Sequence, residues 1–301
     1  MRHAQTALVV ALFVTSLAAC GGGDSGADPS AGPAPAPAPG PAPAPDPDPA
    51  PGPAPAPAPS PVGGGSSGDC FNPELSTVGS TAKLDYRISG QTTAGENKQG
   101  TSIVEWSIPR RTDFESYRNV LERAMTTTTT TVTPASQAGT LVGTQRNYLD
   151  VDGRDSLRYG DVVDLPDIGQ TAVMHVVNAP PLRSKEFSLS PGQTDVSTET
   201  TATTTMRVNG AQVGPATTTT YTQTMTYLGQ ESITVDAGTF VTCKFRSVET
   251  GLGQTTENLW WFGNPSGVTI RYAYTTTSPA GIDSQISELQ ATSRLNGSPI
   301  Q

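Results

Sequence analysis

His175 is the one histidine beyond the first twenty residues, and a lone imidazole is the natural first candidate for acid/base work. It lies in Ala172-Val173-Met174-His175-Val176-Val177, an apolar run that reads as a mostly buried strand. A general base needs an oriented partner and a nucleophile within reach, and no Ser or Cys motif accompanies His175. It therefore reads as structural. Asp150-Val151-Asp152-Gly153-Arg154-Asp155 spaces carboxylates as a calcium loop does. An EF-hand, however, needs an oxygen ligand where Arg154 stands and Gly where Asp155 stands. Asp152-Gly153 is explained more simply as a hairpin turn. Trp260-Trp261-Phe262 is the remaining cluster. Adjacent strand residues point to opposite faces, so one Trp is expected in the core and the other outward or into a groove that could hold an amphiphile. No catalytic residue, metal ligand or cofactor is expected from these residues, and the chain reads as a non-enzyme.

The elements that would carry these side chains divide the 301 residues into three segments. Of 27 Pro, 16 lie between Pro29 and Pro61, and 15 of those fill every odd position from Pro33 onward. Beyond Asp69, 232 residues carry 17 Lys and Arg against 22 Asp and Glu. That is ample chain for one core, and its scattered, outnumbered basic residues argue against nucleic acid as a partner.

Residues 1–19 begin with Met1-Arg2-His3, continue through an apolar run from Ala7 to Ala19, and end in small residues, the pattern of a secretory signal peptide. The run is shorter than the roughly 20 residues a membrane-spanning helix needs. Leu17-Ala18-Ala19-Cys20 resembles the lipobox of bacterial lipoproteins, which implies cleavage before Cys20, acylation of that residue, palmitate included, and attachment to a membrane through lipid. The alternative is ordinary cleavage with a free thiol at Cys20. Gly21, rather than Asp, after the Cys resembles the pattern of lipoproteins sent to the outer membrane. Residues 20–69 hold glycine-rich ends around alternating Ala-Pro and Asp-Pro pairs and are expected to form a tether. Alternating Pro favours extended polyproline II, so the 29 residues from Pro33 to Pro61 could reach about 90 Å. With Cys20 assigned to lipid, Cys70 and Cys243 remain as a pair in an oxidising export compartment, and a disulfide between them is expected.

Residues 70–301 read as one all-β domain. Ala82, Leu84, Tyr86 and Ile88 alternate with Lys83, Asp85, Arg87 and Ser89, the period of a half-buried strand. Asp152-Gly153 and Asn209-Gly210 suit two-residue hairpin turns, and Asp236-Ala237-Gly238 and Gly263 to Gly267 separate further strand-like runs. Thr126–Thr131, Thr203–Thr205, Thr217–Thr220 and Thr275–Thr277 add β-branched residues suited to sheet surfaces. One segment dissents. Thr112-Asp113-Phe114-Glu115 matches a capping box, and Phe114, Tyr117, Leu121 and Met125 follow helical spacing, so 112–125 admits one short helix or a strand beginning near Val120. The surrounding pattern favours the strand. The expectation is a single antiparallel meander, either a half-barrel or a strongly bent sheet.

Gly229-Gln230-Glu231-Ser232-Ile233-Thr234-Val235-Asp236-Ala237-Gly238-Thr239-Phe240, then Cys243-Lys244-Phe245, Trp260-Trp261 and the turn before Val268-Thr269-Ile270-Arg271, resemble a stretch of uncharacterised proteobacterial envelope proteins bearing Val-Pro-Ala-Gly-Thr-Phe. Asp236 stands where those proteins have Pro. The resemblance implies a half-barrel-like sheet akin to lipoprotein-carrier folds and brings no activity or site residues. Two functions follow. The first is a noncatalytic structural or interaction protein, lipid-anchored in the cell envelope at the outer membrane, its domain in the periplasm or at the cell surface. The second is a carrier or chaperone for a lipid or other amphiphile, with Trp260 and Trp261 at a sheet-walled groove. Partners are then the membrane through Cys20 and an amphiphile, an envelope protein or a glycan.

Overall fold

The structure, a computed structural model, describes residues 64–165, 172–251 and 253–300. The lipobox, Cys20 and the proline-rich tether lie outside the described residues. The strands are β1 (Thr81–Gln91), β2 (Asn97–Phe114), β3 (Tyr117–Thr133), β4 (Gly139–Asp152), β5 (Asp155–Leu165), β6 (Ala172–Ser184), β7 (Thr194–Val196), β8 (Thr200–Val208), β9 (Ala211–Tyr221), β10 (Thr224–Val235), β11 (Gly238–Gly251), β12 (Gln254–Gly263), β13 (Thr269–Ser278), β14 (Gly281–Leu289), β15 (Arg294–Leu295) and β16 (Ser298–Pro299). They form one antiparallel sheet that does not close, in the order β7-β10-β11-β12-β13-β14-β1-β2-β3-β4-β5-β6-β8-β9, with β15 beside β1 and β16 beside β15. Two runs of consecutive hairpins are thus joined where β14 pairs with β1.

The sheet bends sharply, because residues several strands apart meet. The Ala237 amide, in the β10–β11 turn, donates to the Leu289 carbonyl at the end of β14, and Asp236 pairs with Arg87 of β1. This curl buries Leu84, Tyr86, Phe240, Trp261, Ile270 and Leu289 in one cluster. The alternation along β1 does what its period predicts: Ala82, Leu84, Tyr86 and Ile88 are buried, while Lys83, Arg87 and Ser89 are exposed.

No helix forms at 112–125. Phe114 pairs with Tyr117 across a turn at Glu115-Ser116, with Glu115 at φ 51°. Asp113, inside the capping-box tetrapeptide, accepts from the Asn119 amide and the Arg118 guanidinium and closes the hairpin. The helical spacing loses because β3 gains ladder hydrogen bonds to β2 on one side and β4 on the other, beginning at Tyr117 rather than near Val120. Asn209-Gly210 forms its predicted turn with both residues at positive φ. At the other predicted hairpin Asp152 pairs with Asp155, so the turn is Gly153-Arg154, one residue later than Asp152-Gly153.

The β2–β3 hairpin tip folds back over the neighbouring strands. The Phe114 ring stacks on Tyr148 at 3.9 Å, the Tyr117 hydroxyl donates to the Asn178 carbonyl, and Val120 and Val162 complete a separate cluster.

Candidate functional site

The segment leading into the domain is built into the sheet. Ser66 caps a 3-10 turn over Ser67–Cys70, accepting from the Gly68 amide, and this brings Cys70 to β11, where it is disulfide-bonded to Cys243 with the Cα atoms 6.1 Å apart. Both cysteines are fully buried. Around them the Leu189 amide donates to Ser67 Oγ, the Tyr227 hydroxyl to the Gly65 carbonyl, and Gln230 Nε2 to Asp69 Oδ2. Phe187 fills the centre, with its ring within 6.0 Å of Phe71, Phe245 and Phe262.

That arrangement decides what the tryptophans can do. They occupy opposite faces of β12, as strand alternation requires, yet both are buried, at 8 % exposure for Trp260 and 6 % for Trp261. Trp260 packs with Tyr272, Tyr227, Phe245 and the disulfide, under the 64–71 and 186–189 segments. Trp261 donates from Nε1 to Glu231, with the Lys244 ammonium 4.9 Å and the Arg271 guanidinium 5.6 Å from its ring. Lys244 pairs with Glu231, Arg271 with Glu288, and Arg87 with Glu288 and Asp236, so charges of both signs alternate around the indole. Neither Trp borders an open groove: the outward-facing Trp expected from the sequence is covered because the chain lays a second layer over that face.

The other candidates are likewise engaged. His175 Nε2 stands 3.4 Å from Glu115 Oε1 and its ring 5.3 Å from Phe114. Burial lowers its pKa, against the opposing pull of Glu115. Asp150 takes both arms of Arg111, while Asp152 and Asp155 share Arg183, so the carboxylates that suggested calcium neutralise arginines.

Another set of residues was not grouped as a site by sequence, although Ala82, Met125 and Met174 were each read as parts of local patterns. Across seven strand pairs Ala82, Trp106, Met125, Gln145, Val163, Met174, Met206 and Val213 stand directly opposite one another, so they share one face and make one continuous row. Along it Ala82 and Val163 are buried, at 6 % and 2 % exposure, Trp106, Met125, Gln145 and Met174 are half-buried, and Met206 at 40 % and Val213 at 51 %, on the last two strands, are exposed. In the next row of the same face lie Arg123, Asn147, Asp161 and Val176. Asp161 is saturated: Asn147 Nδ2 donates at 2.6 Å and Arg158 at 2.7 Å through Nη2. Arg123 makes no ion pair or hydrogen bond among the described residues, and its Nε is shut off from solvent without a partner. Burial, then the neighbouring Arg158, pushes its pKa down to about 10, so it stays charged at neutral pH. Asp161 is thus taken by Arg158, and the Arg123 charge is left over on the face that carries the methionines. The register across β2–β9 was needed to see this; in sequence Arg123 and Met125 merely precede a threonine run.

Two recesses, of about 420 and 380 Å³, flank the sheet, and Trp106, Met125 and Gln145 of the row also border the larger. The larger lies on the opposite face, where Glu105, Thr126, Thr144 and Asp164 line it, with Thr144 donating to Asp164. The smaller lies between Asp85, Thr101, Ile103, Asp236 and Gln290.

No family model matches the chain, and no curated protein matches it. Among solved structures the chain is similar to a Bacteroides fragilis protein regarded as exported and having a YmcC-like fold, over 73 % of this chain and 97 % of that one, at 12 % identity and a TM-score of 0.33. At that score the likeness carries no functional argument.

Proposed function

We propose that this chain is a lipid-anchored protein of the bacterial cell envelope, held at the outer membrane by acylated Cys20, that displays a noncatalytic β domain on a proline-rich tether and works by contact with another envelope component. The observation that carries the reading is the disulfide: Cys70, the first cysteine after the tether, is joined to Cys243 inside a closed aromatic cluster, an arrangement suited to an oxidising compartment outside the cytoplasm. The lipobox and signal sequence support the same compartment. The noncatalytic part rests on how the titratable groups are used: His175, Asp150, Asp152, Asp155, Glu231 and Glu288 each meet a structural partner rather than a nucleophile.

Fractionation of cells labelled with radioactive palmitate tests the anchor. The wild-type protein should carry label and sediment with outer membranes, and Cys20→Ala should lose the label and appear in the soluble fraction. A Cys20→Ala protein that still sediments with membranes overturns the lipid-anchor reading.

A further inference from the structure

We propose that the methionine face of β2–β9 binds an anionic single-chain amphiphile, its head held by Arg123 and its alkyl tail lying along Met125, Val163, Met174, Met206 and Val213. This goes beyond the envelope reading and does not depend on the Cys20 anchor. It gives the amphiphile-carrier alternative a site distinct from Trp260 and Trp261, both of which are buried in packed clusters.

Three observations converge on this site. The first is charge. A guanidinium has five N–H donors and no acceptor, and Arg123 satisfies none of them among the described residues. The free Oδ1 of Asn147, the residue facing Arg123 across the strand pair, could take one of those donors and no more. The one nearby carboxylate, Asp161, is already held by Arg158 and Asn147. Arg123 is half-buried with its Nε shut off from solvent, and a ligand carboxylate or phosphate would pair with its guanidinium through charge-assisted hydrogen bonds. The second is the lining. Of the five methionines in the chain, Met125, Met174 and Met206 fall in one cross-strand row, and the flexible thioether adapts to alkyl chains of varied shape. The third is access. Six strand spacings from Trp106 to Val213 give a track about 29 Å long, and Met206 and Val213, at the edge, are its most exposed members, so a tail can enter from that side with its head at Arg123.

Trp106 stands opposite Met125 in the same row and reports on the site. The experiment uses the full chain carrying Cys20→Ala, free of detergent, titrated below the micelle threshold with dodecanoate, octadecanoate, dodecyl phosphate, the neutral dodecanol and a terminally brominated fatty acid. Dodecanoate should bind saturably at one site, and each methylene added to the tail should tighten binding about two- to fourfold. The brominated acid should quench tryptophan fluorescence, and Trp106→Phe should remove most of that quenching. Arg123→Gln should weaken dodecanoate about tenfold or more while leaving dodecanol unchanged. Because the Arg variant can fail to fold, Met206→Asp at an exposed position provides a second route. Met206 lies four strand spacings, about 19 Å, from the Arg123 strand. Octadecanoate, whose tail reaches it, should therefore bind about tenfold or more weakly to Met206→Asp, while dodecanoate, whose tail does not, should bind as to the parent. Arg207→Gln, an exposed arginine on the opposite face, should bind as the parent does. No saturable binding, equal binding by Arg123→Gln and the parent, or quenching that survives Trp106→Phe overturns the proposal. Inorganic phosphate displacing dodecyl phosphate at equal concentration overturns it as well, by reducing the site to a plain anion site.

Discussion

Glu186 shows how a single side chain can carry a pH dependence that no motif announces. It sits in the short turn Glu186–Ser188 and accepts from the hydroxyls of Ser184 and Ser156. Burial raises its pKa above the ordinary 4.5, Asp195 and Asp155 add to that, and the two hydroxyls oppose it. An acid with a raised folded pKa binds its proton more tightly when folded, so its contribution to stability is complete below about 4.5 and is lost as pH rises through the raised value. Glu186→Gln keeps the shape and removes the titration. Melting temperatures measured at about pH 5 and pH 7 should therefore fall less toward pH 7 in Glu186→Gln than in wild type, and equal falls would show that Glu186 is not the titrating group. Trp261 makes the complementary point: its indole is enclosed by Glu231, Lys244 and Arg271, and a residue that looked like a ligand anchor is instead the apolar centre of an ion-pair network.

Among the elements, the β2–β3 hairpin has the most to explain. Its 18- and 17-residue strands run past β1, and the tip would be exposed if nothing received it. Gly160 of β5 receives it: a Cβ there would lie 2.7 Å from the Phe114 ring and collide with the Val176 carbonyl. The missing side chain leaves a floor on which Phe114 stacks against Tyr148, a ring covering a strand glycine. Gly160→Ala should accordingly destabilise the domain by about 1–3 kcal/mol through overpacking. Urea denaturation measures this, and limited proteolysis should show faster cleavage near Glu115-Ser116 as the tip lifts. A variant with unchanged midpoint and cleavage would mean that the tip docks through Tyr117 and Asn178 alone.

For the whole molecule, the disulfide links the start of the domain to the middle of the second hairpin run, across 173 residues. The chain-entropy relation assigns a loop of that length about 5 kcal/mol. The double variant Cys70→Ala with Cys243→Ala should lose most of that in a urea titration, and parent protein unfolded with and without reductant should show the same difference; insensitivity to both would mean that the Phe187 cluster alone holds the leading segment. The sequence by itself determined the strands whose two faces differ: β1, whose alternation meets a core on one side and water on the other, and the hairpin at Asn209-Gly210, whose backbone demands residues tolerant of positive φ. It also paired the cysteines by compartment and parity. Tertiary structure decided the rest. The helical spacing at 112–125 gave way to ladder bonds on both sides, the second face of β12 was covered by segments remote in sequence, and Arg123 came to share a face with three methionines from three strands. Local periodicity reports which side of its own strand a residue occupies, whereas which strands lie alongside, and what covers them, depends on pairings tens of residues away.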